Sequence, residues 1–450
     1  MKTSIVADLH LHSKYSRAVS QEMVLPTMAK MAKIKGIDLL ATGDFTHPLW
    51  SKELDSQLEE VSEGIYAVKD QKNLGNFARY ILGTEISCIF SQGGKGRRIH
   101  ILVFAPSLAV VHKINGAMLQ AGCNLMSDGR PIIGLSLIQL CELLWGVDER
   151  IVIVGAHVWT PWFGLYGSQS GFDSLAEAFG PYADKIYAVE TGLSSNPLMN
   201  WRIQELDHRS IVSFSDAHSP AKLGRELTIF KTRQAASGKR QDEDFGFQDF
   251  AGALKNEGNW EIAATVEFYP EEGKYHYTGH RNCQVVQSPE ETKKKGVACH
   301  VCGRPLTVGV MHRVEQLAAR EINNDQLKIK ISPEGVKIFR YDQRPDYMML
   351  VPLQEILAEV LGAGVNTKGV KTEYERLITQ FSSELKILAK AQLSDLEKIG
   401  GPRLREAIEK VRKGDIFINP GYDGVFGEVK IWGEKKSSQP QDKKEQMSLF

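Results

Sequence analysis

The sequence predicts an α/β fold in which a barrel of seven βα units is followed by a small cysteine-containing domain and a helical domain. Three observations support this prediction. Short apolar runs of β type alternate with longer amphipathic stretches as far as about residue 232, three of the six cysteines cluster between residues 262 and 320, and apolar residues after position 345 recur with a helical period. A chain of 450 residues, 42% of them apolar, is long enough for two to four such units. The predicted boundaries are 1–235 for the barrel, 262–320 for the cysteine-containing domain, 345–432 for the helical domain and 433–450 for a disordered tail.

The composition excludes several classes of protein. Residues 1–8 contain no apolar leader segment, and no run of about 18 apolar residues occurs in the chain. We therefore expect no secretory signal, no membrane contact and a cytoplasmic location, associated with the nucleoid if the chain binds DNA. Cys88, Cys123 and Cys141 lie among apolar neighbours, which predicts buried, reduced thiols rather than disulfides.

Charge is distributed unevenly along the chain. The net charge is zero, which neither predicts nor excludes a nucleic-acid partner. Residues 274–320, however, contain eight Lys or Arg against three Asp or Glu. This local excess of five positive charges (8 − 3) predicts a phosphate-binding surface.

Seven β-type runs make up the predicted barrel, and each leads to a polar or ionisable residue. The runs are 4–7, 39–42, 79–83, 98–104, 151–155, 185–189 and 211–214. The residues at or just beyond their ends are His10, His12, Asp44, Glu85, His157, Glu190, Asp216 and His218, whereas His100 lies within the fourth run. Because the carboxyl ends of barrel strands converge on one mouth, we expect these side chains to face one another across a small pocket.

His10 and His12 form a metal-chelating pattern. Two histidines one residue apart at a strand end can present both imidazoles to one side where the chain turns out of the strand. A single such histidine is more often a satisfied core residue, but here several other strand ends also supply histidines and carboxylates. Mixed imidazole and carboxylate ligands suit Zn, Mn or Fe rather than Ca. If Glu85 bridges two ions, they can hold a hydroxide and a phosphoryl oxygen together, so phosphoester hydrolysis is the predicted chemistry.

These residues resemble the motif set of the polymerase-and-histidinol-phosphatase (PHP) superfamily. The matching segments are Asp8-Leu-His10-Leu-His12-Ser13, Thr42-Gly-Asp44, Gly83-Thr-Glu85, His100 within its strand, Gly155-Ala-His157 and Ser215-Asp216-Ala-His218. The resemblance covers about the first half of the chain and implies a distorted seven-stranded βα barrel. It also implies a catalytic centre in which His10, His12, Glu85 and Asp216 hold one metal ion, Glu85 bridges to a second ion on His100 and His157, and His218 belongs to a third site.

The chain departs from this superfamily around the third site. The usual Thr-Asp-His segment reads Gly43-Asp44-Phe45, and an Arg-Ala pair occupies positions 17–18, a region that often supplies another ligand. We therefore expect Asp44 or His47 to compensate as a metal ligand, with two firmly bound ions and a third left open. For Glu190 we favour an orienting or structural role over a ligand role. The expected active-site ion is Zn²⁺, with Mg²⁺ or Mn²⁺ as alternatives.

A second set of metal-ligating residues follows the barrel. His280-Arg-Asn-Cys283 and Cys299-His-Val-Cys302 are two knuckles separated by fifteen residues, which is typical of tetrahedral structural zinc sites. Free thiols on a core face are an unlikely interpretation of a Cys-x-x-Cys unit flanked by glycine and basic residues. The predicted Zn²⁺ ligands are Cys283, Cys299, Cys302 and His280, with His276, His300 and His312 as alternatives for the histidine.

Residues 393–408 resemble a helix-hairpin-helix. Gly400 and Gly401 would let backbone N–H groups at a helix N-terminus approach a DNA phosphate. An ordinary helical turn with a glycine cap gives the same pattern, and the sequence favours neither interpretation.

The last five residues, 446–450, resemble the sliding-clamp-binding motif of bacterial DNA enzymes. Gln446 can hydrogen-bond to such a clamp while Leu449 and Phe450 fill an apolar pocket. A polar tail can end in Leu-Phe by chance, but the position of the motif at the end of a tether favours a sliding clamp as partner and a bacterial source.

Along its whole length the chain resembles the endonuclease Q family. That resemblance implies a DNA repair enzyme that cuts double-stranded DNA 5′ to a deaminated base (uracil, hypoxanthine or xanthine) or an abasic site. Such a base must leave the stack to be recognised, and the residues that follow His157 are the predicted pocket or wedge. They are Trp159, Trp162, Phe163, Tyr166 and Ser168. Two alternatives are a small-molecule phosphatase of PHP type, which has no use for the zinc or clamp motifs, and a non-catalytic DNA-binding scaffold, which would have lost metal ligands.

Overall fold

The computed structural model describes residues 4–69, 78–233, 244–323 and 325–433. The strands in these segments are β1 Ser4–Asp8, β2 Leu39–Ala41, β3 Leu58–Ser62, β4 Ile65–Val68, β5 Arg79–Gln92, β6 Lys95–Ala105, β7 Ile132–Ile133, β8 Val152–Gly155, β9 Ala188–Glu190, β10 Ser210–Val212, β11 Leu227–Thr232, β12 Trp260–Glu267, β13 Thr278–His280, β14 Val285–Gln287, β15 Leu327–Ile331, β16 Lys337–Tyr341, β17 Asp346–Met349, β18 Phe417–Asn419 and β19 Glu428–Lys430. The helices are α1 Leu25–Lys35, α2 Pro48–Gln57, α3 Leu108–Gln120, α4 Leu137–Val147, α5 Leu175–Phe179, α6 Pro197–Asn200, α7 Phe247–Lys255, α8 Pro289–Lys295, α9 Val310–Leu317, α10 Leu353–Leu361, α11 Lys368–Phe381, α12 Glu384–Ala389 and α13 Leu393–Lys413. No helix within these segments is long and apolar enough to cross a membrane.

Seven strands form the barrel wall, in the order β10-β9-β8-β6-β5-β2-β1. They correspond to the seven predicted runs, which confirms the predicted α/β architecture. Most neighbours in this wall are parallel, but β6 is antiparallel to both β5 and β8. The cause is local, because Gly93 and Gly94 adopt positive φ and turn the chain directly from β5 back into β6. The wall is therefore a distorted version of an all-parallel barrel.

Alternate residues of these strands point into the barrel. The inward-facing apolar residues include Ile81, Leu102, Phe104, Val154 and Ala188. The same period of two continues toward the mouth, so Glu85, His100 and Glu190 also point inward. β5 extends to Gln92 instead of ending at residue 83 as predicted, which places Glu85 inside a strand and not beyond its end.

Helix α7 closes the end of the barrel opposite the histidines. Phe250 of this helix packs edge-on against Phe104 and Phe230, with ring centroids 5.1 and 6.1 Å apart. Phe247 and Phe250 are fully buried. One end of the barrel is therefore filled with apolar side chains, and the polar residues gather at the other.

The barrel closes through the segments that follow β1 and β10. The backbone N–H of His12 donates to the carbonyl of Ala217 at 3.1 Å, and the N–H of Ala217 donates to the carbonyl of His10 at 3.3 Å. Leu11 and Ala217 form a parallel bridge between the two segments. The hydrogen bonds that close the ring thus bring the His10-Leu-His12 segment against Asp216-Ala-His218.

The sheet continues past the barrel. β11 pairs antiparallel with β1, and β12, β17, β16 and β15 follow outward in that order. β13 and β14 form a separate hairpin that carries part of the cysteine group, and α10 to α13 make up the helical C-terminal region. A buried ion pair of 2.6 Å between Lys35 and Glu384 links α1 to α12.

Residues 234–243 and 434–450 lie outside the described residues, including the clamp-motif residues Gln446, Leu449 and Phe450.

Helix α13 contains the predicted glycine hairpin. Gly401 adopts φ 83° and ψ 172°, so the helical geometry is interrupted there and two helices meet at Gly400-Gly401. A Cβ on Gly401 would meet no atom within 4 Å, so the positive φ and not crowding is what requires glycine. The geometry is that of a helix–Gly-Gly–helix unit, and its contact with DNA stays a prediction.

Candidate active site

Three groups of metal-ligating side chains share one pocket at the barrel mouth. The groups are His10, His12 and Glu85; Glu85, His100 and His157; and His12, Asp216 and His218. Within each group the ligand atoms lie within 4.8 Å of one another. Because Glu85 and His12 each belong to two groups, neighbouring ions would share ligands, as they do in two-metal phosphoesterases.

Glu85 lies at the centre of the pocket. Its Oε1 is 2.7 Å from His100 Nδ1 and 3.0 Å from His157 Nε2. Its Oε2 is 3.2 Å from His12 Nε2. Asp216 Oδ1 lies 3.2 Å from the same His12 nitrogen, so both carboxylates face one common space.

Glu190 contacts two of the histidines through groups that do not face the pocket. Its carboxylate lies 3.0 Å from His10 Nδ1 and accepts a hydrogen bond of 2.7 Å from the backbone N–H of His157. A carboxylate on Nδ1 fixes the proton on that nitrogen and turns Nε2 toward the pocket. Glu190 therefore has the orienting role that the sequence analysis favoured.

Asp44 plays the same part for His12, which corrects the prediction that it is a metal ligand. Its Oδ1 lies 3.0 Å from His12 Nδ1, and its Oδ2 accepts hydrogen bonds from the backbone N–H of Ser13 at 2.6 Å and from Ser16 Oγ at 2.9 Å. With both oxygens already engaged, Asp44 orients a ligand instead of serving as one. The third ligand group accordingly contains His12, Asp216 and His218, without Asp44 or His47.

Several pocket residues occupy strained backbone conformations. Asp44, His157 and Asp216 have φ of 49°, 29° and 48°, in the left-handed region that favours glycine. Such conformations cost about 1–3 kcal/mol each and persist where the surrounding structure enforces them. The Asp216 turn is held by Asp8, which accepts hydrogen bonds from the backbone N–H groups of Ser215 at 3.0 Å and residue 224 at 2.8 Å. Asp8 is thus a support for the turn and not a ligand.

The charges of the pocket favour a bound cation. Burial by itself would lower the pKa of His10 and His12, but the surrounding carboxylates raise both pKa values well above the ordinary value. Burial would likewise raise the pKa of Glu85 and Asp216, but the neighbouring histidines hold both well below the ordinary range. The carboxylates therefore stay ionised, and metal ions can take the place of the protons that the histidines would otherwise bind.

The donor atoms of the pocket fit metal ions. Within the described part of the chain, His10 Nε2, His12 Nε2 and Asp216 Oδ1 are buried and have no hydrogen-bond partner. Buried polar atoms without partners are uncommon in folded proteins. His100 is also suited to ligation, because burial lowers the pKa of its imidazole to about 4 and leaves it neutral. Imidazole nitrogens combined with carboxylate oxygens suit Zn²⁺, Mn²⁺ or Fe²⁺.

Arg130 is a pocket residue that the sequence analysis did not identify. It lies in the loop after α3 and donates from Nη1 to Glu85 Oε2 at 3.0 Å. The loop approaches the pocket so closely that a Cβ on Gly129 would lie 2.3 Å from Asp44 Oδ2. Asp128 fixes the turn by accepting the backbone N–H of Arg130 at 3.2 Å. The only sequence signal was an Asp-Gly-Arg-Pro turn in a long loop, which has no strand or helix period to mark it.

Two of the predicted base-pocket aromatics lie at the surface beside the pocket. The ring centroid of Phe163 is 4.6 Å from that of His100. Trp162 packs edge-on against Tyr275, with centroids 5.4 Å apart. Both Phe163 and Trp162 are half-buried, so part of each ring is available for contact.

The other two aromatics lie in the core, which corrects their assignment as base-contacting residues. Trp159 and Tyr166 are fully buried and stack obliquely at 5.0 Å. Trp159 Nε1 donates to Asn200 Oδ1 and the hydroxyl of Tyr166 donates to Glu205, each at 2.8 Å. With their rings enclosed and their polar atoms satisfied, they support the loop that carries Trp162 and Phe163. Ser168, also predicted for the pocket, donates at 3.1 Å to a backbone carbonyl outside the barrel.

The cysteine group is a fourth set of potential ligands. It comprises His280, Cys283, Cys299 and Cys302, with ligand atoms within 4.8 Å of one another. Cys302 Sγ lies 3.4 Å from His280 Nδ1. The alternative histidines at positions 276, 300 and 312 are not members of this group. Three thiols and one imidazole fit the closed tetrahedral coordination of a structural zinc ion.

Sequence comparisons find relatives across the whole chain. Residues 352–415 match the family model described as the MJ0043 C-terminal domain. The chain is 30% identical over 448 residues to the uncharacterized protein YqxK of Bacillus subtilis, covering 95% of this chain and 99% of that protein. It is 32% identical over 281 residues to the uncharacterized protein MJ0043 of Methanocaldococcus jannaschii, covering 62% of this chain. The matched part spans only 32% of the length of MJ0043.

Two solved structures match the fold over nearly its full length. The crystal structure of the lesion-specific endonuclease PfuEndoQ from Pyrococcus furiosus has a TM-score of 0.78 and 30% identity, covering 95% of each chain. Endonuclease Q in complex with a 27-mer duplex substrate carrying an abasic lesion at the active site matches with a TM-score of 0.78 and 30% identity, covering 95% of this chain and 96% of that chain. The barrel and its ligand groups define a metal-dependent phosphoesterase of the PHP type. Within that class, the chain belongs to the endonuclease Q family.

Proposed function

We propose that the protein is a DNA repair endonuclease that cuts duplex DNA on the 5′ side of a deaminated base or an abasic site. The observation that carries the proposal is the match over 95% of the chain to an endonuclease Q that holds an abasic duplex at its active site. The ligand groups of the barrel mouth supply a suitable hydrolytic centre. A small-molecule phosphatase would not need the cysteine group, and a non-catalytic scaffold would not need so many buried, unpartnered ligand atoms.

The pocket residues would prepare the scissile phosphodiester for hydrolysis. One ion would be held by His10, His12, Glu85 and Asp216, whose imidazole nitrogens and carboxylate oxygens lie 3.2–3.6 Å apart across the pocket. A second would be held by Glu85, His100 and His157. Metal ions bound there would supply positive charge for the phosphoryl oxygens and an activated water. Glu190 and Asp44 keep the imidazole rings oriented before DNA arrives, so little reorganisation is needed during the reaction.

Arg130 would add a fixed positive charge beside the phosphate. Its guanidinium is about a quarter exposed and is anchored through one nitrogen on Glu85. A planar guanidinium can pair with two phosphate oxygens at once, which suits a phosphodiester entering this pocket. Charge that develops on the phosphate during hydrolysis would be stabilised by a donor that is already in place.

Lesion selection would occur on the Phe163 side of the pocket. A deaminated base differs from its parent only at an exocyclic group on the pairing edge, so it has to leave the stack before that group can be recognised. The half-buried rings of Phe163 and Trp162 can stack on an extruded nucleotide or fill the gap it leaves. The mispairs that deamination leaves, such as uracil opposite guanine, and abasic positions are less stable than normal base pairs, which lowers the cost of extrusion.

The proposed cofactors are Zn²⁺ in the cysteine group and Zn²⁺, Mg²⁺ or Mn²⁺ in the barrel. A sliding clamp is a further proposed partner, through Gln446, Leu449 and Phe450. Deleting residues 446–450 should abolish binding to a bacterial sliding clamp, measured by calorimetry, without changing the nicking of short duplexes. Unchanged clamp binding would remove that partner from the proposal.

A nicking assay tests the proposed function directly. Duplexes that contain uracil, hypoxanthine, xanthine or an abasic site should be cut 5′ to the lesion, leaving 3′-hydroxyl and 5′-phosphate ends, whereas undamaged duplex should stay intact. EDTA should stop the reaction, and added metal should restore it. Hydrolysis of phosphomonoesters without any nicking would support a phosphatase instead, and DNA binding without hydrolysis would support a scaffold.

A further inference from the structure

A loop with an exposed aromatic side chain contacts residues beside the cysteine group. It comprises residues 420–427 and connects β18 to β19. Phe426 is 64% exposed, the largest value for a large apolar side chain in the described residues, and its neighbour Val425 is also exposed. A single exposed apolar side chain is ordinary in proteins. What distinguishes Phe426 is how its loop is held and which side chains lie beside its ring.

Backbone contacts hold both ends of the loop. The N–H of Gly421 donates to the carbonyl of residue 271 at 2.8 Å, and the N–H of Gly427 donates to the carbonyl of residue 272 at 2.9 Å. The approach is so close that a Cβ on Gly427 would lie 2.1 Å from the carbonyl oxygen of residue 271. Only glycine fits at this position, so the loop cannot be replaced by an arbitrary turn.

The tip of the loop is fixed as firmly as its ends. Asp423, with φ of 41°, accepts hydrogen bonds from the backbone N–H of Arg281 at 2.7 Å and from Thr307 Oγ1 at 2.5 Å. The N–H of Gly424 donates to the carbonyl of Lys274 at 2.9 Å. Because the loop is ordered before any ligand arrives, its ring can enter a binding partner with little further loss of conformational entropy.

Two cationic side chains lie beside the loop that carries the exposed ring. Lys274 Nζ lies 4.5 Å from the centroid of the Phe426 ring. The guanidinium of Arg281 borders the tip, since a Cβ on Gly424 would lie 3.0 Å from its Nη1. Both cationic side chains are exposed and belong to the basic segment 274–320. An exposed aromatic ring with cationic side chains beside it matches a partner with flat faces and a polyanionic backbone.

A series of aromatic contacts links this loop to the metal pocket. Phe163 contacts His100, and the adjacent Trp162 contacts Tyr275. The hydroxyl of Tyr275 in turn lies 3.9 Å from where a Cβ on Gly424 would be. The loop, the half-buried rings and the metal ligands thus follow one another along one side of the pocket. A duplex whose phosphodiester lies among the metal ligands would extend over the loop.

We propose that residues 420–427 form a DNA-wedging loop, in which Phe426 inserts into the duplex beside the lesion while Lys274 and Arg281 pair with the flanking phosphates. The proposal rests on the proposed function and deepens it by naming the residue that opens the stack. Apolar side chains inserted between base steps unstack and kink duplex DNA. Extrusion of a nucleotide leaves a gap that such a ring can occupy, which keeps the nucleotide out of the stack.

Binding measurements on the full, zinc-loaded chain test this loop. In an Asp216→Asn background, which should prevent cutting, Phe426→Ala should weaken binding to an abasic duplex about tenfold, or about 1.4 kcal/mol, because one ring–base contact is lost. It should also abolish the rise in fluorescence of a 2-aminopurine placed next to the lesion. Phe426→Tyr should restore both signals. Lys274→Ala should lower the salt dependence of binding by roughly one unit, with or without a lesion.

The matched controls lie on the edge strand β15. Ile331 is 60% exposed and Lys330 is exposed beside it, so Ile331→Ala and Lys330→Ala remove similar surface groups away from the proposed duplex path. Each control should change the affinity for duplex DNA less than about twofold. Equal weakening by Ile331→Ala and Phe426→Ala would overturn the proposal, because it would show a non-specific effect of lost apolar surface.

The result can be separated from the fate of the proposed function. If Phe426→Ala binds and opens the abasic duplex like its parent, the wedge is overturned even when the wild-type protein nicks lesions normally. If the wild-type protein nicks no lesion duplex, the proposed function fails, while a selective loss of duplex binding in Phe426→Ala would still support the loop. Unchanged melting temperature and zinc content would confirm that Phe426→Ala is folded.

Discussion

The barrel pocket and the cysteine group both gather metal-ligating side chains, but they are built differently. The imidazoles of His10 and His12 are 1% and 0% exposed and are backed by carboxylates on their Nδ1 atoms. In the cysteine group, Cys302 is exposed and the ligands come from two tight turns within 23 residues (280–302). The barrel ligands come from strands and strand ends spread between residues 10 and 218, so they meet only when the whole barrel has formed.

We propose that this difference separates a structural site from a reactive one. Three thiols and one imidazole fill all four positions of a tetrahedral zinc ion and leave no position open. Such closed coordination is typical of an ion that stabilises a small domain. The barrel groups share Glu85 and His12 and leave buried atoms without protein partners in the described residues. Shared ligands and unsatisfied atoms keep coordination positions available for a water and a phosphate. Burial, a carboxylate layer and strained turns are the features that set the reactive site apart.

The largest expected effect is the loss of nicking when a barrel carboxylate that faces two of the histidines is removed. Asp216→Asn should lower the single-turnover rate of nicking by about a thousandfold or more, equivalent to about 4 kcal/mol of activation free energy, because Asp216 faces both His10 and His12. DNA affinity should be retained. Asp55→Asn, at an exposed carboxylate on α2, is the control and should nick normally. Wild-type nicking by Asp216→Asn would break the assignment of the barrel pocket as the reactive site.

A cysteine-group variant should have the opposite profile. Cys302→Ser should lower the zinc content by roughly one ion per chain and lower the melting temperature, because a structural zinc ion contributes its binding free energy to folding. Below the melting transition, its nicking rate should stay within about tenfold of the wild-type rate. Cys123→Ser, at a half-buried thiol outside the group, should leave the zinc content unchanged. If Cys302→Ser lost all nicking while keeping its zinc and its stability, the two sites would not differ as proposed.

The carboxylate layer should have an intermediate effect. Glu190→Gln keeps the shape of the side chain but removes the charge that orients His10, so we expect a loss of about 10- to 100-fold in metal affinity or in nicking. Nicking by Glu190→Gln should recover as the metal concentration is raised, which a purely structural defect would not show. Asp44→Asn should behave in the same way through His12. Titrations of nicking against metal concentration distinguish these outcomes, and unchanged titrations would show that the layer is unimportant.

The sequence predicted the cysteine group and the barrel ligands for different reasons. Spacing alone identifies Cys283, Cys299 and Cys302, since their knuckles are local in the chain. The barrel ligands were predicted because the carboxyl ends of barrel strands converge on one mouth and because the residues resemble the PHP motif set. His100 was an exception to that rule, because it lies within its run; the antiparallel course of β6, which was not predicted, brings this part of the strand to the mouth.

The features that the sequence did not predict depend on packing between distant segments. Asp44 looks like a ligand because it follows a strand, but contacts with the segment after β1 occupy both of its oxygens. Trp159 and Trp162 are three residues apart in one aromatic loop, and only the fold shows that the first is enclosed and the second is accessible. Arg130 comes from a loop without periodicity, whose position is set by the tight approach of Gly129.

The barrel also contains buried carboxylates that face no histidine. Glu226 and Glu267 are fully buried, and their oxygens lie 3.1 and 3.0 Å from Ser213 Oγ. A hydroxyl has one proton, so Ser213 can donate to only one of the two carboxyl groups at a time. Burial raises the pKa of Glu267 to about 8 and raises that of Glu226 well above its ordinary value. The contrast with Glu85, whose pKa is lowered beside histidines, shows that the partner decides whether a buried carboxylate is charged.

The smallest expected effect is a change in how stability depends on pH when Glu267 is replaced by its neutral isostere. An acid whose pKa is raised on folding contributes stability below its ordinary pKa of 4.5, and this contribution is lost as the pH rises through about 8. The melting temperature of the wild-type protein should therefore fall between about pH 5 and about pH 9, and that of Glu267→Gln should fall less. The melting temperature of Glu267→Gln should exceed that of the wild type by the largest margin at the alkaline end of this range. There the Glu267 carboxyl of the wild type has to ionise although it is buried. Calorimetric melting curves at constant ionic strength measure the difference, and Glu261→Gln, at a partly exposed carboxylate on β12, is the control. Parallel curves for the wild type and Glu267→Gln would mean that Glu267 is ionised when buried, and the contrast with Glu85 would be lost.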